Sequence, residues 1–360
     1  MHKLSIIAIA MLLMFSLTGH AQQFIKATDS AIATVGRINF NADGSADWTW
    51  PGAQFYCSFT GTSVRMKTKP GSSYFVIVID GGTPFKVQSE KSTDGLVTLA
   101  TGLAPGTHSL QITYAVEGAL RHPVLYGLLL DDGARLGSKP TLAERKMEFI
   151  GNSITCALGN EWDGVSKKFD SKMQNIYRSY EAIAARKLNA QWQVVARSGI
   201  GIYRNNCGKV DGDRAVMPAY YPFANVRMSG KRWDFSRYQP DVVCVNLGTN
   251  DTTHPKWRDD KLQEAFKSFV KDIRGHYPKA KIVLLTGTMI KGERLEAVQK
   301  AEQAAIDDAR SRGDNNVYRF DFTPSDGSLG YGYGKHPSAR QHEKMADELV
   351  PFIKKITGWN

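Results

Sequence analysis

Residues 147–156 read MEFIGNSITC, and the change of character at Gly151 organises the chain around it. The first half is apolar and strand-like. The second turns abruptly small and polar, with Ser153 between Asn152 and Ile154. A serine in that place can be a turn residue or a helix cap. It can also be a nucleophile held at the tip of a strand. The sequence on either side decides between these readings.

Downstream, strand-like and helical runs alternate. WQVVA (192–196), DVVCVNLG (241–248), KIVLLTG (281–287) and VYRFDF (317–322) read as strands. KMQNIYRSYEAIAARKL (172–188), KLQEAFKSFVKDIRGHY (261–277), RLEAVQKAEQAAIDDARS (294–311) and SARQHEKMADELVPFIKKI (338–356) read as helices. This alternation predicts an α/β domain with a parallel sheet flanked by helices. The nearly continuous apolar run DVVCVNLG is what a strand covered on both faces requires. Ligands of such sheets bind beyond the carboxyl ends of the strands, and Ser153 lies just past the end of the first one.

Upstream the period is different. QFYCSFTGTSVRMKT (54–68), SYFVIVIDGG (73–82), GLVTLATGL (95–103) and HSLQITYAV (108–116) are short, rich in β-branched and aromatic residues, and separated by Gly, Pro and Ser. They predict a small β-sandwich of jelly-roll type over residues 22–134. The polar stretch DDGARLGSKPTLAERK (131–146) is punctuated by Gly and Pro, so residues 135–146 are expected to link the sandwich to a catalytic domain at 147–360. Residues 1–21 combine a short basic start, an apolar run from Leu4 to Leu17, and small residues before Ala21. They read as a secretory signal peptide cut after Ala21, which predicts a secreted or periplasmic protein. No later segment is long and apolar enough to span a membrane.

The chain has 360 residues, 42% of them hydrophobic, and a formal net charge of +11. Its lysines and arginines are dispersed, without a basic block interleaved with aromatics, so no nucleic-acid partner is expected. Cys57, Cys156, Cys207 and Cys244 lack the paired spacing of a metal site, and no metal or other cofactor is expected. Cys57 and Cys244 read as buried thiols in strands. A disulfide between Cys156 and Cys207 is open in an oxidising compartment.

Four segments that follow strands or precede a helix carry the chemistry: GNSIT (151–155), ARSGIGIYRNN (196–206), NLGTND (246–251) and YGKHPSARQH (333–342). They supply a hydroxyl, glycine-rich backbone, a side-chain amide and an imidazole. Acyl transfer needs a base for the serine proton and donors for the developing oxyanion. Taken singly, each has a plain structural reading. Asn250 can be a turn residue, Asp251 a helix cap, Gly199 a tight turn, and His336 a surface residue before Pro337.

In this order the four segments resemble the blocks of the SGNH, or GDSL-type, hydrolases. They are most similar to carbohydrate esterase family 2, which carries a small β-sandwich ahead of its three-layer α/β/α domain. YRSYEAIAARKL, SGIGIYRN, WDFSRYQPDVVCVNLGTND and HPSARQH all read like that family. The resemblance implies Ser153 as nucleophile and His336 as base. It implies an oxyanion hole from the backbone N–H groups of Ser153 and Gly199 with the Asn250 side chain, Gly201 being a nearby alternative to Gly199. It further implies removal of acetyl groups from plant polysaccharides without a metal. Other SGNH activities, on lipid or sialate esters, and a carbohydrate-binding protein with a decayed site are the rival readings.

Two departures stand out. Asn152 occupies a position that is usually Asp in these families. Tyr333 and Gly334 occupy the positions where most such enzymes carry the acid that orients the histidine. A backbone carbonyl, of Lys335 or a neighbour, is expected to take that role, with Asp326 as the alternative. Tyr203, Asn205 and Trp257 are the expected sugar or acyl-pocket contacts. Trp162, Arg204 and Met289 lie in the same group of loops.

Overall fold

The computed structural model describes residues 22–89, 92–119, 121–226 and 231–360. The expected signal peptide at 1–21 lies outside the described residues. In the first part, β1 (Gln23–Lys26), β2 (Ala33–Val35), β3 (Asn39–Phe40), β4 (Ala46–Asp47), β5 (Gln54–Thr60), β6 (Val64–Thr68), β7 (Tyr74–Ile79), β8 (Phe85–Gln88), β9 (Leu96–Ala100), β10 (Thr107–Tyr114) and β11 (Val124–Leu130) form two antiparallel sheets. One runs β3-β4-β11-β6-β9, with β1 also paired to β11; the other runs β2-β5-β10-β7-β8. Period-two burial brings the sheets face to face: along β10, His108, Leu110 and Ile112 are buried while Thr107 and Ser109 are exposed. Trp48 fills the centre, its ring 5.2 Å from Phe55 and 5.4 Å from Tyr114. Part of the expected linker docks onto this sandwich. Leu136 bridges to Phe59, and Gly137 N–H donates to Ser58 O.

The second part contains β12 (Arg145–Gly151), α1 (Tyr180–Lys187), β13 (Ala190–Ala196), α2 (Met217–Tyr220), β14 (Val242–Asn246), α3 (Asp259–His276), β15 (Lys281–Thr286), α4 (Glu293–Ser311), β16 (Val317–Asp321) and α5 (Ala339–Thr357). Its sheet is parallel, in the order β13-β12-β14-β15-β16. Alternate strand residues serve opposite faces. Ile150, Val243, Val245, Ile282 and Leu284 join the core beneath α3 and α4. Phe149, Val242, Cys244, Val283 and Leu285 join the core beneath α1 and α5. The chain leaves β12 to one side for β13 and returns to its other side for β14. This is a topological switch, and the crevice it opens lies at the carboxyl ends of β12 and β14.

One expected element is broken. The helix predicted over 172–188 is instead two 3-10 turns, Ser171–Met173 and Ile176–Arg178, followed by the short α1. Side chains of Asp170, Asn175 and Ser179 each accept a backbone N–H two or three residues on. Such local bonds compete with a continuous helix.

The two parts are locked by a buried charge pair. Arg37, from the sandwich, places Nη2 3.2 Å from Oε1 of Glu148 on β12, with both side chains fully buried. Glu148 also accepts from Gln193 Nε2 at 2.6 Å and Tyr221 OH at 2.7 Å. Arg37 Nη1 donates to the carbonyls of Tyr221 and Phe223. Its guanidinium lies over the Tyr221 and Phe235 rings at 4.7 and 5.2 Å. Removing one partner of such a pair strands the other charge in a low-dielectric seam. Arg37→Ala is therefore expected to cost about 3–5 kcal/mol in a denaturant titration, and a loss below about 1 kcal/mol would show that the seam is wet.

Candidate active site

Ser153 is the second residue after β12 and is 8% exposed. The turn that holds it is built locally. Asn152 Oδ1 accepts from Ile154 N–H at 3.0 Å, so the amide that replaces the usual Asp still closes an Asx turn. Cys156 N–H donates to Asn152 O, and Leu158 N–H to Ser153 O.

His336 comes from the other end of the chain, three residues before α5. Its Nε2 lies 2.8 Å from Ser153 Oγ, and its Nδ1 lies 2.8 Å from the carbonyl oxygen of Tyr333. A carbonyl can only accept, so Nδ1 carries the proton and Nε2 presents a lone pair to the serine hydroxyl. The orienting group is thus a backbone carbonyl, as expected, but that of Tyr333 rather than Lys335, and it is not Asp326. The Asp326 carboxylate is occupied by Ser328, from N–H at 2.9 Å and Oγ–H at 2.6 Å. Gly334 and Lys335 both have left-handed backbone, with φ of +62° and +63°. This coil turns the Tyr333 carbonyl back toward the imidazole. Burial holds the His336 pKa below its ordinary value, while backbone hydrogen bonds at Tyr333 and Gly334 pull it the other way.

The His336 loop is docked directly on the serine turn. Tyr333 N–H donates to Gly159 O at 3.0 Å, and Ala339 N–H to Asn160 O at 2.8 Å. The contact is so close that a Cβ on Gly159 (φ +61°) would stand 2.4 Å from the Tyr333 Cβ. Ser338 caps α5, accepting from Gln341 N–H and donating to Leu329 O.

The expected oxyanion donors sit on the neighbouring loops. Among the described residues, the N–H groups of Ser153 and Gly199 have no protein acceptor. Gly201 N–H, the alternative, is consumed by Asn205 Oδ1 at 3.1 Å. Asn250, 8% exposed, donates one of its two amide hydrogens to Ile200 O at 2.7 Å and retains the other. Asp251 is not a helix cap. Its fully buried carboxylate accepts from the N–H groups of Ile202, Tyr203 and Arg204 at 2.8 to 3.0 Å, tying the loop after β13 to the loop after β14. Burial pushes the Asp251 pKa up, against the pull of these three bonds.

The expected sugar contacts are differently placed. Tyr203 is a core residue whose hydroxyl accepts from Arg258 N–H at 2.9 Å. Asn205 clamps its own loop, using Oδ1 on Gly201 and Nδ2 on Ala215 O. Trp257 packs on the core beneath α3 and donates Nε1–H to Asp259. Trp162 meets the Tyr333 ring edge-on at 6.4 Å. Cys156 and Cys207 are not joined: all four cysteines are free, Cys156 being buried and Cys207 exposed, 3.1 Å from His254 Nε2. Asp251 was not singled out as a site group from the sequence, and the expected backbone carbonyl was placed at Lys335 or a neighbour without naming Tyr333. The first hides behind its likeness to a cap, and a backbone carbonyl leaves no residue-type signal.

The chain is similar to known proteins along most of its length. Residues 34–140 match the carbohydrate esterase 2 N-terminal family, and residues 149–344 match the GDSL-like lipase/acylhydrolase family. The chain is 37% identical over 327 residues to cellulase/esterase CelE of Acetivibrio thermocellus, covering 90% of this chain but 39% of that protein. It is 28% identical over 341 residues to an acetylxylan esterase / glucomannan deacetylase of Cellvibrio japonicus, covering 93% and 91%. A family two carbohydrate esterase from Clostridium thermocellum, solved in complex with cellohexaose, superposes with a TM-score of 0.83 at 36% identity, over 91% of this chain and 100% of that one.

The docking of the two loops gives a direct test. Gly159→Ala pushes on Tyr333 and so on the acceptor of His336. A displacement near 1 Å is expected to lower kcat on an activated acetyl ester by about ten- to hundred-fold, measured beside a thermal melt that falls, because Ala is strained at φ +61°, but still shows a folded protein at the assay temperature.

Proposed function

This chain belongs to carbohydrate esterase family 2, and we propose that it is a secreted or periplasmic deacetylase of plant polysaccharides, of xylan or glucomannan type. The observation that carries the mechanism is the relay from Ser153 Oγ through His336 to the Tyr333 carbonyl, with 2.8 Å at each step. Ser153 Oγ attacks the acetyl carbonyl carbon while Nε2 of His336 takes its proton. The oxyanion forms against the N–H groups of Ser153 and Gly199 and the free amide hydrogen of Asn250. Collapse of this intermediate breaks the bond to the sugar oxygen, which takes the proton from Nε2 and leaves as a hydroxyl. Water then attacks the acetyl-serine carbonyl while Nε2 takes its proton, and as the bond to Ser153 Oγ breaks Nε2 returns that proton to the serine and acetate leaves.

The substrate class draws support from two sources. The Cellvibrio relative is an acetylxylan esterase / glucomannan deacetylase. In addition, a cleft of about 560 Å³ opens beside the oxyanion loop, lined in part by Phe169, Gln174, Arg197 and Ser198. Phe169 is 39% exposed, an aromatic face available to the C–H surface of a sugar ring.

Acetate release from acetylated xylan and glucomannan, set beside an activated acetyl ester and its butyryl homologue, tests the reading. A sharp fall from acetyl to butyryl supports a sugar deacetylase; a preference for longer acyl chains points to a lipid esterase. Glycan binding without turnover would indicate a decayed site. Ser153→Ala is expected to lower kcat by about ten-thousand-fold or more, and Asn250→Ala by about 10²–10³. Equal rates for wild type and Ser153→Ala would remove Ser153 as nucleophile.

The pH profile has a defined sign. Only neutral His336 accepts the serine proton, and burial lowers its pKa. Activity should therefore persist below the ordinary histidine value and be lost as pH falls through the depressed pKa. The acid limb of kcat/KM is expected to have its midpoint below about 6.5; a midpoint above about 7 would contradict a buried, carbonyl-held base.

A further inference from the structure

We infer that Glu117, supplied by the N-terminal sandwich, is a positioning residue that holds the oxyanion loop against the nucleophile turn. The inference rests on the acyl-transfer reading above, in which the Gly199 N–H meets the oxyanion.

Glu117 lies in the connection between β10 and β11, far from the catalytic segments in sequence. Its carboxylate grips one residue of the other domain with both oxygens. Oε2 accepts Ser198 N–H at 2.9 Å, and Oε1 accepts the Ser198 hydroxyl. Ser198 immediately precedes Gly199. A glycine imposes little on its own peptide orientation, and Gly199 adopts φ of +79°. The direction of its N–H must therefore be set by what pins the residues around it. On one side Asn206 N–H holds the Gly199 carbonyl at 2.8 Å. On the other side Ile200 N–H closes the turn on Arg197 O at 3.3 Å, and Glu117 holds Ser198 within it.

The same carboxylate also faces the nucleophile turn. The Cys156 thiol, three residues after Ser153 and fully buried, is pushed well up first by burial and then by the Glu117 carboxylate, with Ser198 opposing. Gln174 Nε2 donates to Cys156 O at 2.6 Å on the same side. Glu117 thus stands where the loops carrying two expected oxyanion donors, Ser153 and Gly199, come together. It also borders the cleft assigned to the sugar, but both its oxygens are engaged by Ser198. Its effect is on the direction of a donor, and this should appear in kcat.

The test uses the full chain and an activated acetyl ester. Glu117→Ala is expected to lower kcat by about ten- to hundred-fold with KM held within about three-fold, because donor geometry matters in the transition state. Glu117→Gln keeps one acceptor for Ser198 N–H and should recover most of the loss. Ser198→Ala, which keeps the N–H bond and drops the hydroxyl bond, should fall between wild type and Glu117→Ala. Thermal melts accompany each variant, and a Glu117→Ala protein that fails to fold leaves the decision to Glu117→Gln and Ser198→Ala. If Ser153→Ala is inactive while Glu117→Ala, or failing that Ser198→Ala, keeps wild-type kcat, the positioning role is overturned and the acyl-transfer reading stands. A rise in KM at constant kcat overturns it equally, assigning Glu117 to binding. Wild-type turnover by Ser153→Ala overturns the underlying reading instead.

Discussion

The hydrogen bond from His336 Nδ1 to the Tyr333 carbonyl is the interaction on which the site depends. An imidazole can serve as base only if one nitrogen keeps its proton and the other faces the hydroxyl. A carboxylate would enforce this and also stabilise the imidazolium with its charge. A carbonyl enforces the tautomer equally well, because it has no proton to offer, but contributes only a dipole. Burial then lowers the pKa of the ring. The proposed base is consequently neutral over a wider pH range, and each proton it would accept is held less tightly. The left-handed pair Gly334 and Lys335, the N–H bond from Tyr333 to Gly159, and the cap at Ser338 together keep that carbonyl in place.

A second theme is that the sandwich does more than precede the catalytic domain. Arg37 satisfies Glu148 on the first strand of the parallel sheet, and Gln54 Nε2 reaches Trp192 O at 2.8 Å on the neighbouring strand. Trp50 belongs to the core of the catalytic half. These contacts brace the two strands whose ends carry the serine turn and the proposed oxyanion loop. Glu117 extends the brace from the scaffold to the loops themselves. A catalytic loop rich in glycine needs such external restraint, since its own backbone fixes so little.

Polar groups inside the second domain divide by task. Asp251 is buried yet satisfied by three N–H groups, so it acts as a rivet between loops. His342, one turn into α5, accepts from Tyr180 N–H at 3.1 Å and stacks on the Tyr180 ring; burial drives its pKa down to about 3. It is a neutral structural histidine close in sequence to the reactive one, and only its surroundings tell them apart.

Much was legible in the residues alone. Period-two runs before residue 131 and alternating strands and helices after 147 imply a sandwich followed by a parallel sheet, because side-chain periodicity must match the face that is buried. Ser153 and His336 were singled out by the resemblance of the four segments, in their order, to the blocks of carbohydrate esterase family 2, since each taken singly had a plain structural reading; the fold brings their side chains to 2.8 Å. The rest was decided by tertiary structure. The broken helix over 171–187 depends on side-chain bonds that compete locally with the helix. That the histidine's partner is a backbone carbonyl was expected from the missing acid at Tyr333 and Gly334; that it is the carbonyl of Tyr333 only the fold decided. Tyr203 and Asn205 turned inward to core and loop because packing, which sequence spacing does not specify, sets side-chain direction. Glu117 became a neighbour of the oxyanion loop only when two domains closed on each other, and a contact across 81 residues is a property of the assembled fold.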